Sequence, residues 1–381
     1  MKDELKKKAG ELFGGGDYIF TSAPGRVNLI GEHTDYHEGF VLPVAIHLKT
    51  YAVGKKSKKI SIYSDNFGDF AKGEVSSLSP PEKPDWKSYL LGAGYILREN
   101  GYKIEGIEGV VKGYVPLGGG LSSSASVEVT ITALWSALYN LNLSLWEIVH
   151  FSKALENKFV GVPCGIMDQT AAVFGKKGFA IFLDCRSLKI EYVKIPEEWN
   201  IVVCDTRVKR SLASSEYKKR QVECSECLSA IKKRHPEVKS LRDVKREWIA
   251  EVANEVSPVA IKRCRYVLEE NDRVIKAISA FEKGDAEVIG ELFLKSHKGL
   301  RDEYEVSCEE LDFLVENAYK IKGVLGARMT GAGFGGNTVN LVKSEHVEGF
   351  VEEIKKRYRE GMGREPVVRV LSSSDGLLIE K

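Results

Sequence analysis

The stretch with the clearest chemical potential is segment 116–126, whose sequence is PLGGGLSSSAS. Glycines allow backbone angles that are closed to other residues, so successive N–H groups can point into one concavity. An apolar pattern with helical spacing follows at Val127, Ile131, Leu134 and Leu138. The glycines therefore precede a helix, where unpaired N–H groups and the helix dipole favour an anion. A turn that only caps the helix is the alternative, but the serine hydroxyls favour a cradle for nucleotide phosphates.

A second group of polar side chains lies in segment 25–36, with the sequence GRVNLIGEHTDY. Arg26 follows a predicted strand, and Glu32, His33 and Asp35 come shortly after it. Carboxylates and an imidazole supply hydrogen-bond acceptors and a donor, which suit a polyhydroxylated ligand. A metal site would need further ligands at suitable spacing, and none is apparent in the sequence.

Two further segments are ambiguous when taken alone. Asp168 ends the turn-rich segment GVPCGIMD and opens a helical pattern, where an Asp is ordinarily a capping or dipole-favoured residue. Segment 328–337, RMTGAGFGGN, matches GxGxxG but lacks the βαβ context of a dinucleotide site. Its glycines are interpreted as positions where the backbone of one domain approaches a ligand held by the other.

Composition limits the classes of function. The chain has 381 residues, 43% of them apolar, which predicts two domains with ordinary cores. Lys and Arg number 56 against 54 Asp and Glu, and the net charge of +2 argues against a nucleic-acid partner. No apolar run has the length of a membrane span, and no signal peptide is apparent. Seven cysteines without a secretory signal indicate reduced thiols and a cytoplasmic location.

Apolar periodicity and turn residues predict the elements that must position these motifs. Strands are predicted at 18–23, 40–46, 50–54, 59–64, 109–115, 179–183, 189–195, 200–205 and 338–342. Helices are predicted at 1–12, 86–99, 145–157, 211–234, 258–282, 285–298 and 308–319. A connector at 196–198 divides the chain into an N-terminal domain, 1–198, and a C-terminal domain, 199–381.

In this order and spacing, the motifs resemble those of the galactokinases in the GHMP small-molecule kinase superfamily. Segment 25–36 resembles the galactokinase signature, and segments 116–126 and 329–336 resemble glycine-rich motifs of the superfamily. Segments 164–169, 184–186 and 211–217 resemble galactokinases in particular. The resemblance extends over almost the whole chain.

This resemblance implies an ATP- and magnesium-dependent transfer of the γ-phosphoryl group to the anomeric 1-hydroxyl of α-D-galactose, giving galactose 1-phosphate and ADP. It implies an α+β, two-domain GHMP kinase-like fold: an N-terminal α/β domain related to a ribosomal-protein fold, a C-terminal α+β domain, and an active site between them. Galactose and ATP are the implied partners, with no nucleic acid and no membrane. We expect a monomer or a weak homodimer.

The resemblance also assigns roles residue by residue. Asp168 occupies the position of the family's catalytic base, assisted by Arg26. The sugar-contacting positions are Glu32, His33, Thr34, Asp35, Gly165 and Tyr217. The phosphate loop comprises Gly118, Gly119, Gly120, Leu121, Ser122, Ser123 and Ser124. Ser124 and Glu156 match the Mg²⁺ ligands, and hard oxygen donors of this kind suit that ion.

Four residues depart from the common galactokinase pattern and leave the fine sugar preference open: His37, Glu38, Arg207 and Arg210. One alternative is therefore a kinase for a related sugar, such as N-acetylgalactosamine or galacturonate. The other is a non-catalytic sensor of sugar and ATP, because galactokinase-like regulators have lost turnover by deletion of a Ser-Ala pair. Ser124 and Ala125 are both present here, which favours the enzyme.

Overall fold

The signature segment begins in a strand of the first sheet, and the phosphate loop follows another strand of that sheet. In a computed structural model, which describes residues 1–208 and 213–380 (213–215 as backbone only), this sheet has six strands in the order β13-β1-β3-β6-β4-β5. All neighbours are antiparallel except β4 and β6. The strands are β1 (Ile19–Asn28), β3 (Pro43–Ser57), β4 (Ile60–Ser64), β5 (Asp69–Gly73), β6 (Gly106–Gly113) and β13 (Leu378–Glu380).

Helices of the N-terminal part cover this sheet. The long helix α3 packs on β1 and β3, and its Ser126 hydroxyl donates to the Ala23 carbonyl at 2.8 Å. Trp135 of the same helix is fully buried in the core that α3 shares with α2. The helices are α1 (Lys2–Phe13), α2 (Trp86–Glu99), α3 (Ser123–Tyr139), α4 (Leu145–Ala154) and α5 (Met167–Phe174).

A second sheet organises the C-terminal part. It has four antiparallel strands in the order β10-β11-β9-β12, and α9, α10 and α11 pack against its strands. Its strands are β9 (Trp199–Asp205), β10 (Val324–Thr330), β11 (Asn337–Lys343) and β12 (Val367–Leu371). The helices of this part are α6 (Ala213–Arg234), α7 (Arg246–Glu251), α8 (Pro258–Lys283), α9 (Ala286–Lys298), α10 (Glu309–Ala318) and α11 (Val347–Met362).

The two parts share an apolar core, and the C-terminal end of the chain returns to the first sheet. A small sheet of β2 (Phe40–Val41), β7 (Phe179–Asp184) and β8 (Ile190–Lys194) lies between them. One continuous apolar cluster contains Val27 and Leu42 from the first part with Val203 and Phe281 from the second. The last strand, β13, returns to pair with β1. The C-terminal end of the chain thus belongs to the first sheet, and the domain boundary at 198/199 stays a prediction.

The observed elements confirm the α+β class. The strand predicted at 18–23 is too short, because β1 continues through a bulge at Gly25 to Asn28 while paired with β3. The strands predicted at 40–46 and 50–54 are mainly one long strand, β3. Among the described residues, no helix is both long and apolar enough to cross a membrane.

Candidate active site

The phosphate loop leads into α3 through a strained turn. Gly118 and Gly120 have positive φ angles of 70° and 73°, and Ser122 has the left-handed value of 59°, which is unusual for a residue other than glycine. Arg26 fixes the loop from below: its Nη1 donates to the Gly120 carbonyl at 2.8 Å, and its backbone N–H donates to the Leu121 carbonyl at 3.0 Å. In a trans peptide the C=O and the following N–H point in opposite directions. The N–H groups of Leu121 and Ser122 therefore face away from Arg26.

Arg26 also joins this loop to Asp168. Its Nε and Nη2 donate to the two carboxylate oxygens of Asp168, each at 2.8 Å. This two-pronged, charge-assisted arrangement fixes the plane of the carboxylate as well as its position. The Ser122 hydroxyl adds a hydrogen bond of 2.5 Å to Asp168 Oδ2. The structure thus brings together three residues that are far apart in sequence, and it places the carboxylate beside the phosphate loop.

Asp168 and Arg26 border a cavity of about 500 Å³ between the two parts of the chain. Asp35 and Gly165 meet in its wall so closely that a Cβ atom on Gly165 would lie 1.6 Å from Asp35 Oδ2. Burial and the charge of Asp168 raise the pKa of Asp35 to about 6. Tyr217, from the first turns of α6, lines the same cavity. We refer to this space as the sugar cavity.

Glu32 and His33 reach the sugar cavity from the signature segment and are bound by residues 330–332 on its far side. Glu32 Oε1 accepts the Gly331 N–H at 3.1 Å. His33 Nε2 lies 3.2 Å from the Ala332 carbonyl, which can only accept, so Nε2 carries the proton. His33 Nδ1 then accepts from the Tyr36 hydroxyl at 2.7 Å. Burial lowers the pKa of His33 to about 3, so the ring is neutral at physiological pH.

Thr34 takes a different position from the one that the resemblance assigned. Its side chain is fully buried, and its hydroxyl is 2.9 Å from the Gly31 carbonyl and 2.7 Å from the Phe40 carbonyl. It is not among the residues that line the sugar cavity. Its hydroxyl is occupied by these two backbone carbonyls, so the sugar contact of Thr34 stays a prediction that these hydrogen bonds do not support. Leu121 likewise places its side chain in the shared core, so only its backbone is available to a phosphate.

A buried group of carboxylates lies beside the phosphate loop. Glu156 sits in a π-helical turn, Leu155–Val160, and lines a cavity together with Ser124 and Asp168. Burial and the charge of Asp168 raise the pKa of Glu156 to about 7, although a hydrogen bond from Ser124 opposes them. Gln169 Nε2 donates at 3.0 Å to both Glu128 and Glu156. One oxygen of the fully buried Glu128 has no hydrogen-bond partner among the described residues.

These carboxylates form a suitable site for a hard cation. No group of three or more His, Cys, Asp or Glu side chains in the described parts of the chain is arranged as a ready metal cage. Mg²⁺ does not need one, because it keeps several waters and takes few protein ligands besides phosphate oxygens. A cation would offset the mutual repulsion that raises the pKa of Glu156. The residues present therefore fit a magnesium ion at Ser124 and Glu156.

A pocket that the sequence analysis missed continues from the phosphate loop. It has a volume of about 310 Å³, and Ser123 and Ser124 form its border with the loop. Phe67 and Trp86 stack in it with ring centroids 4.5 Å apart and planes inclined by 8°. Tyr89 also lines this pocket. The sequence shows only a phenylalanine, Phe67, in a turn-like segment and a tryptophan, Trp86, at a predicted helix start, and the two rings meet only after the β4–β5 hairpin folds against α2.

The departures from the common pattern have different surroundings. His37 is buried with no hydrogen-bond partner for Nε2 among the described residues, and burial lowers its pKa to about 3. Glu38 points away from the sugar cavity and pairs with Arg186 at 2.7 Å. Arg207 lines the cavity over the phosphate loop. Arg210 lies outside the described residues.

Family models match three regions of the chain. The galactokinase galactose-binding signature matches residues 10–56. The GHMP kinase N-terminal domain matches residues 88–176, and the GHMP kinase C-terminal model matches residues 277–360. These ranges contain the signature segment, the phosphate loop with Asp168, and the glycine-rich turn after β10.

Curated relatives and solved structures agree with these models. A galactokinase of Clostridium beijerinckii is 42% identical over 98% of this chain and 97% of the relative, and one of Thermococcus kodakarensis is 41% identical over 94% and 99%. The crystal structure of Lactococcus lactis galactokinase complexed with galactose is 37% identical, covers 99% of both chains and superposes with a TM-score of 0.94. Methanococcus jannaschii mevalonate kinase, at 18% identity and a TM-score of 0.65, shares the fold. The chain belongs to the galactokinase family, a group of ATP-dependent sugar kinases within the GHMP superfamily.

Proposed function

We propose that the chain transfers the γ-phosphoryl group of ATP to the anomeric 1-hydroxyl of α-D-galactose, producing galactose 1-phosphate and ADP. The observation that carries this proposal is the position of Asp168. Its carboxylate is held by Arg26 and Ser122 where the sugar cavity meets the cavity over the phosphate loop. A hydroxyl bound in the first cavity and a phosphate bound in the second would both be within reach of this one group.

In this proposal Asp168 accepts the proton of the sugar hydroxyl as its oxygen forms the new bond to phosphorus and the bond to ADP breaks. Arg26 and Ser122 hold the carboxylate in place, and Arg26 also offers positive charge beside the transferring group. Phosphoryl transfer depends mainly on positioning and charge stabilisation, and these fixed groups supply both without rearranging during the reaction.

ATP would lie across two adjoining spaces. The backbone N–H groups of the loop and of the start of α3 would bind the phosphates, because helix N-termini favour anions. The aromatic pocket of Phe67, Trp86 and Tyr89 would hold the base by stacking. Arg207 lines the phosphate cavity and would add a cation that the common galactokinase pattern does not carry at this position. This arrangement supports ATP as the co-substrate.

Magnesium would be held by Ser124 and Glu156 together with phosphate oxygens. When bound, the ion supplies charge neutralisation for the phosphates. Gln169 links Glu156 to Glu128 and so limits the freedom of the Glu156 carboxylate before any cation binds. We infer the magnesium requirement from this donor set and from the family.

The sugar would be bound by Glu32, Asp35 and Tyr217, with His33 and Gly165 shaping the cavity wall. The relative from Lactococcus lactis was solved with galactose, which supports galactose as the sugar here. Both ring nitrogens of His33 are already hydrogen-bonded to Tyr36 and Ala332. The Asp35 carboxylate accepts backbone hydrogen bonds from Tyr36 and Met167, and its closeness to Gly165 leaves no room for a side chain there.

We further infer a cytoplasmic protein that is a monomer or a weak homodimer. All seven cysteines are free, as expected in a reducing compartment. Size-exclusion chromatography with light scattering at several protein concentrations distinguishes a monomer or weak dimer from a stable assembly.

The proposed function is tested by ADP release with a panel of sugars at saturating ATP and magnesium. Galactose should be used best, and galactosamine less well. N-acetylgalactosamine should be slower still, because the cavity must accommodate the added bulk at carbon 2 of the sugar. A preference for N-acetylgalactosamine or galacturonate would identify the chain as a kinase for that related sugar instead of galactose. Binding of galactose and ATP without any ADP release would identify a sensor.

A further inference from the structure

A buried arginine of the C-terminal part holds the signature segment from behind the sugar cavity. Arg328, on β10, is fully buried; its Nη1 donates to the Leu29 carbonyl at 3.0 Å and contacts the Glu32 carboxylate. Its Nη2 lies 3.8 Å from Glu270 Oε1. Nε and Nη2 have no hydrogen-bond acceptor among the described residues. The carboxylates of Glu32 and Glu270 therefore balance the charge of Arg328, because burying an unpaired guanidinium would strongly destabilise the fold.

Glu270, on α8, completes the arrangement from the other side. It is fully buried, and its Oε1 accepts the Gly31 N–H at 2.9 Å and the Ser296 hydroxyl at 2.6 Å. Arg273 Nε donates to Oε2 at 2.6 Å. Burial raises the pKa of Glu270, but the charges of Arg273 and Arg328 outweigh it and leave the pKa below its ordinary value. Glu270 thus remains an anion that orients the Gly31 peptide.

Glu32 itself is held at its backbone and at its side chain. The Tyr266 hydroxyl donates to the Glu32 carbonyl at 3.0 Å. Glu32 Oε1 is 3.0 Å from the Thr330 hydroxyl and 3.1 Å from the Gly331 nitrogen. Every polar group of Glu32 apart from its own N–H is therefore contacted by the C-terminal part, although Glu32 still lines the sugar cavity.

From these contacts we propose that Arg328, Glu270 and Tyr266 are positioning residues of the sugar site, which hold residues 29–32 so that Glu32 faces the sugar. None of the three is among the described residues that line the cavity, so they act through Glu32 and the neighbouring peptides. The inference rests on the proposed function of that cavity. It extends the sugar site to a second row of residues, contributed by β10 and α8.

This arrangement acts on the sugar far more than on ATP. Binding sites tolerate little misplacement of their polar groups, so a shift of Glu32 weakens its bond to a sugar hydroxyl. The phosphate loop is held separately, by Arg26 and by Asn337, whose side chain donates to the Gly119 carbonyl. Loss of the positioning residues should therefore raise the KM for galactose and leave the KM for ATP nearly unchanged.

The first experiment compares Arg328→Met with Arg328→Lys in the full chain. We expect Arg328→Met to raise the galactose KM about tenfold or more, with the ATP KM within about twofold of wild type. Arg328→Lys keeps the charge between the two carboxylates and should fall between wild type and Arg328→Met. Calorimetric titration of galactose without ATP should show the same order. Loss of folded protein alone would lower the apparent kcat and would change neither the KM for galactose nor the KM for ATP.

The second experiment uses variants that each remove one hydroxyl. Tyr266→Phe should raise the galactose KM about fivefold, from the loss of one buried hydrogen bond. Tyr18→Phe is the matched control, because Tyr18 is also buried and its hydroxyl donates to the Gly14 carbonyl at 2.8 Å, far from the cavity. The inference would be wrong if Tyr266→Phe and a folded Arg328 variant both kept the wild-type KM for galactose. It would also be wrong if the KM for galactose and the KM for ATP rose equally. Failure of the wild-type chain to phosphorylate galactose would instead overturn the proposed function.

Discussion

Among single residues, the carboxylate of Asp168 is the group on which the proposed phosphoryl transfer depends. The helix-start position of Asp168 alone is also compatible with a capping residue. What distinguishes it is the fork of Arg26 at 2.8 Å and the Ser122 hydroxyl at 2.5 Å, which together leave the carboxylate oriented toward the junction of the cavities. A cap would instead accept the N–H groups of its own helix. Asp168 is therefore positioned from outside its helix, as a reacting group needs to be.

Asp168→Asn tests the proton-accepting role. The change keeps the size of the side chain and removes its charge, so kcat should fall by about 10² or more while the ATP KM hardly changes. Steady-state kinetics with galactose provide the measurement, and galactose titration confirms that the variant still binds the sugar. Turnover within a few-fold of wild type would mean that Asp168 is not the base.

Asp35 gives the sugar site a pH dependence. With a pKa of about 6, Asp35 is ionised above that pH and protonated below it. Only the ionised form accepts a charge-assisted hydrogen bond from a sugar hydroxyl. We expect kcat/KM for galactose, at saturating ATP and magnesium, to be level above pH 6 and to fall about tenfold per unit below it.

The control for this profile is Asp35→Asn. It should have a lower kcat/KM at neutral pH and no inflection near pH 6, provided that circular dichroism shows the fold intact across the range. An unchanged inflection in Asp35→Asn would assign the titration to another group.

Among the elements, the π-helical turn Leu155–Val160 determines where Glu156, the proposed magnesium ligand, lies. A regular α-helix predicted at 145–157 would have rotated Glu156 differently, whereas the wider turn places it beside Ser124 and Gln169. Single π-turns of this kind occur often at functional sites. Apolar periodicity cannot show such a turn, because one extra residue per turn barely alters the pattern.

Glu156→Gln tests the magnesium assignment. It removes one negative ligand and should raise the Mg²⁺ concentration for half-maximal rate by about tenfold, with galactose binding intact. Binding of Mn²⁺ with ADP, followed by electron paramagnetic resonance, provides a readout that does not depend on turnover. Unaltered magnesium dependence together with unaltered Mn²⁺ affinity would count against Glu156 as a ligand.

The start of α2 contributes Trp86 to the aromatic pocket that is proposed to bind the base of ATP. Trp86→Ala removes a stacking surface, a loss of about 1–3 kcal/mol, so the ATP KM should rise about tenfold or more while the galactose KM stays the same. Trp146→Ala is the control, since Trp146 packs on Phe174 and does not line the pocket. Equal ATP KM values in the two variants would place the base elsewhere.

Elements were predicted best where local signals agree with tertiary structure. The helix predicted at 86–99 matches Trp86–Glu99, because Asp85 caps it and a regular apolar face follows. The end of β1 was missed because Pro24 and Gly25 are ordinary turn residues. Here Gly25 permits a close approach instead: a Cβ atom there would lie 2.4 Å from the Leu121 carbonyl. Pairing with β3 overrides the local turn preference.

At the scale of the whole molecule, the site is a product of both parts of the chain. The signature segment, the phosphate loop and Asp168 each lie in a short sequence motif, and the resemblance of these motifs to those of galactokinases predicted that they form one site. The contacts of Glu32 and His33 with residues 330–332 were not predictable, since they depend on how the second sheet packs against the first. Arg328 begins the glycine-rich segment 328–337 and Glu270 lies in a predicted helix, but no sequence signal marks the effect of either residue on the sugar cavity.

Because polar residues of both parts line the sugar cavity, we expect strong discrimination between hydroxyl positions. A site built to bond a hydroxyl rejects an analogue that misplaces it, by factors of up to about 10⁴–10⁵. Glucose differs from galactose in the direction of its 4-hydroxyl alone. We therefore expect kcat/KM for galactose to exceed that for glucose by about 10² or more, measured by ADP release.

Identification of the hydroxyl that receives the phosphate tests the proposed reaction most directly. Galactose, ATP and magnesium are incubated with the wild-type chain and, as a control, with Asp168→Asn, and the product is examined by phosphorus NMR with proton coupling. The account predicts a phosphate coupled to the anomeric proton, in the α configuration, formed by wild type and nearly absent with Asp168→Asn. A phosphate on the 6-hydroxyl, or equal product from glucose, would contradict it.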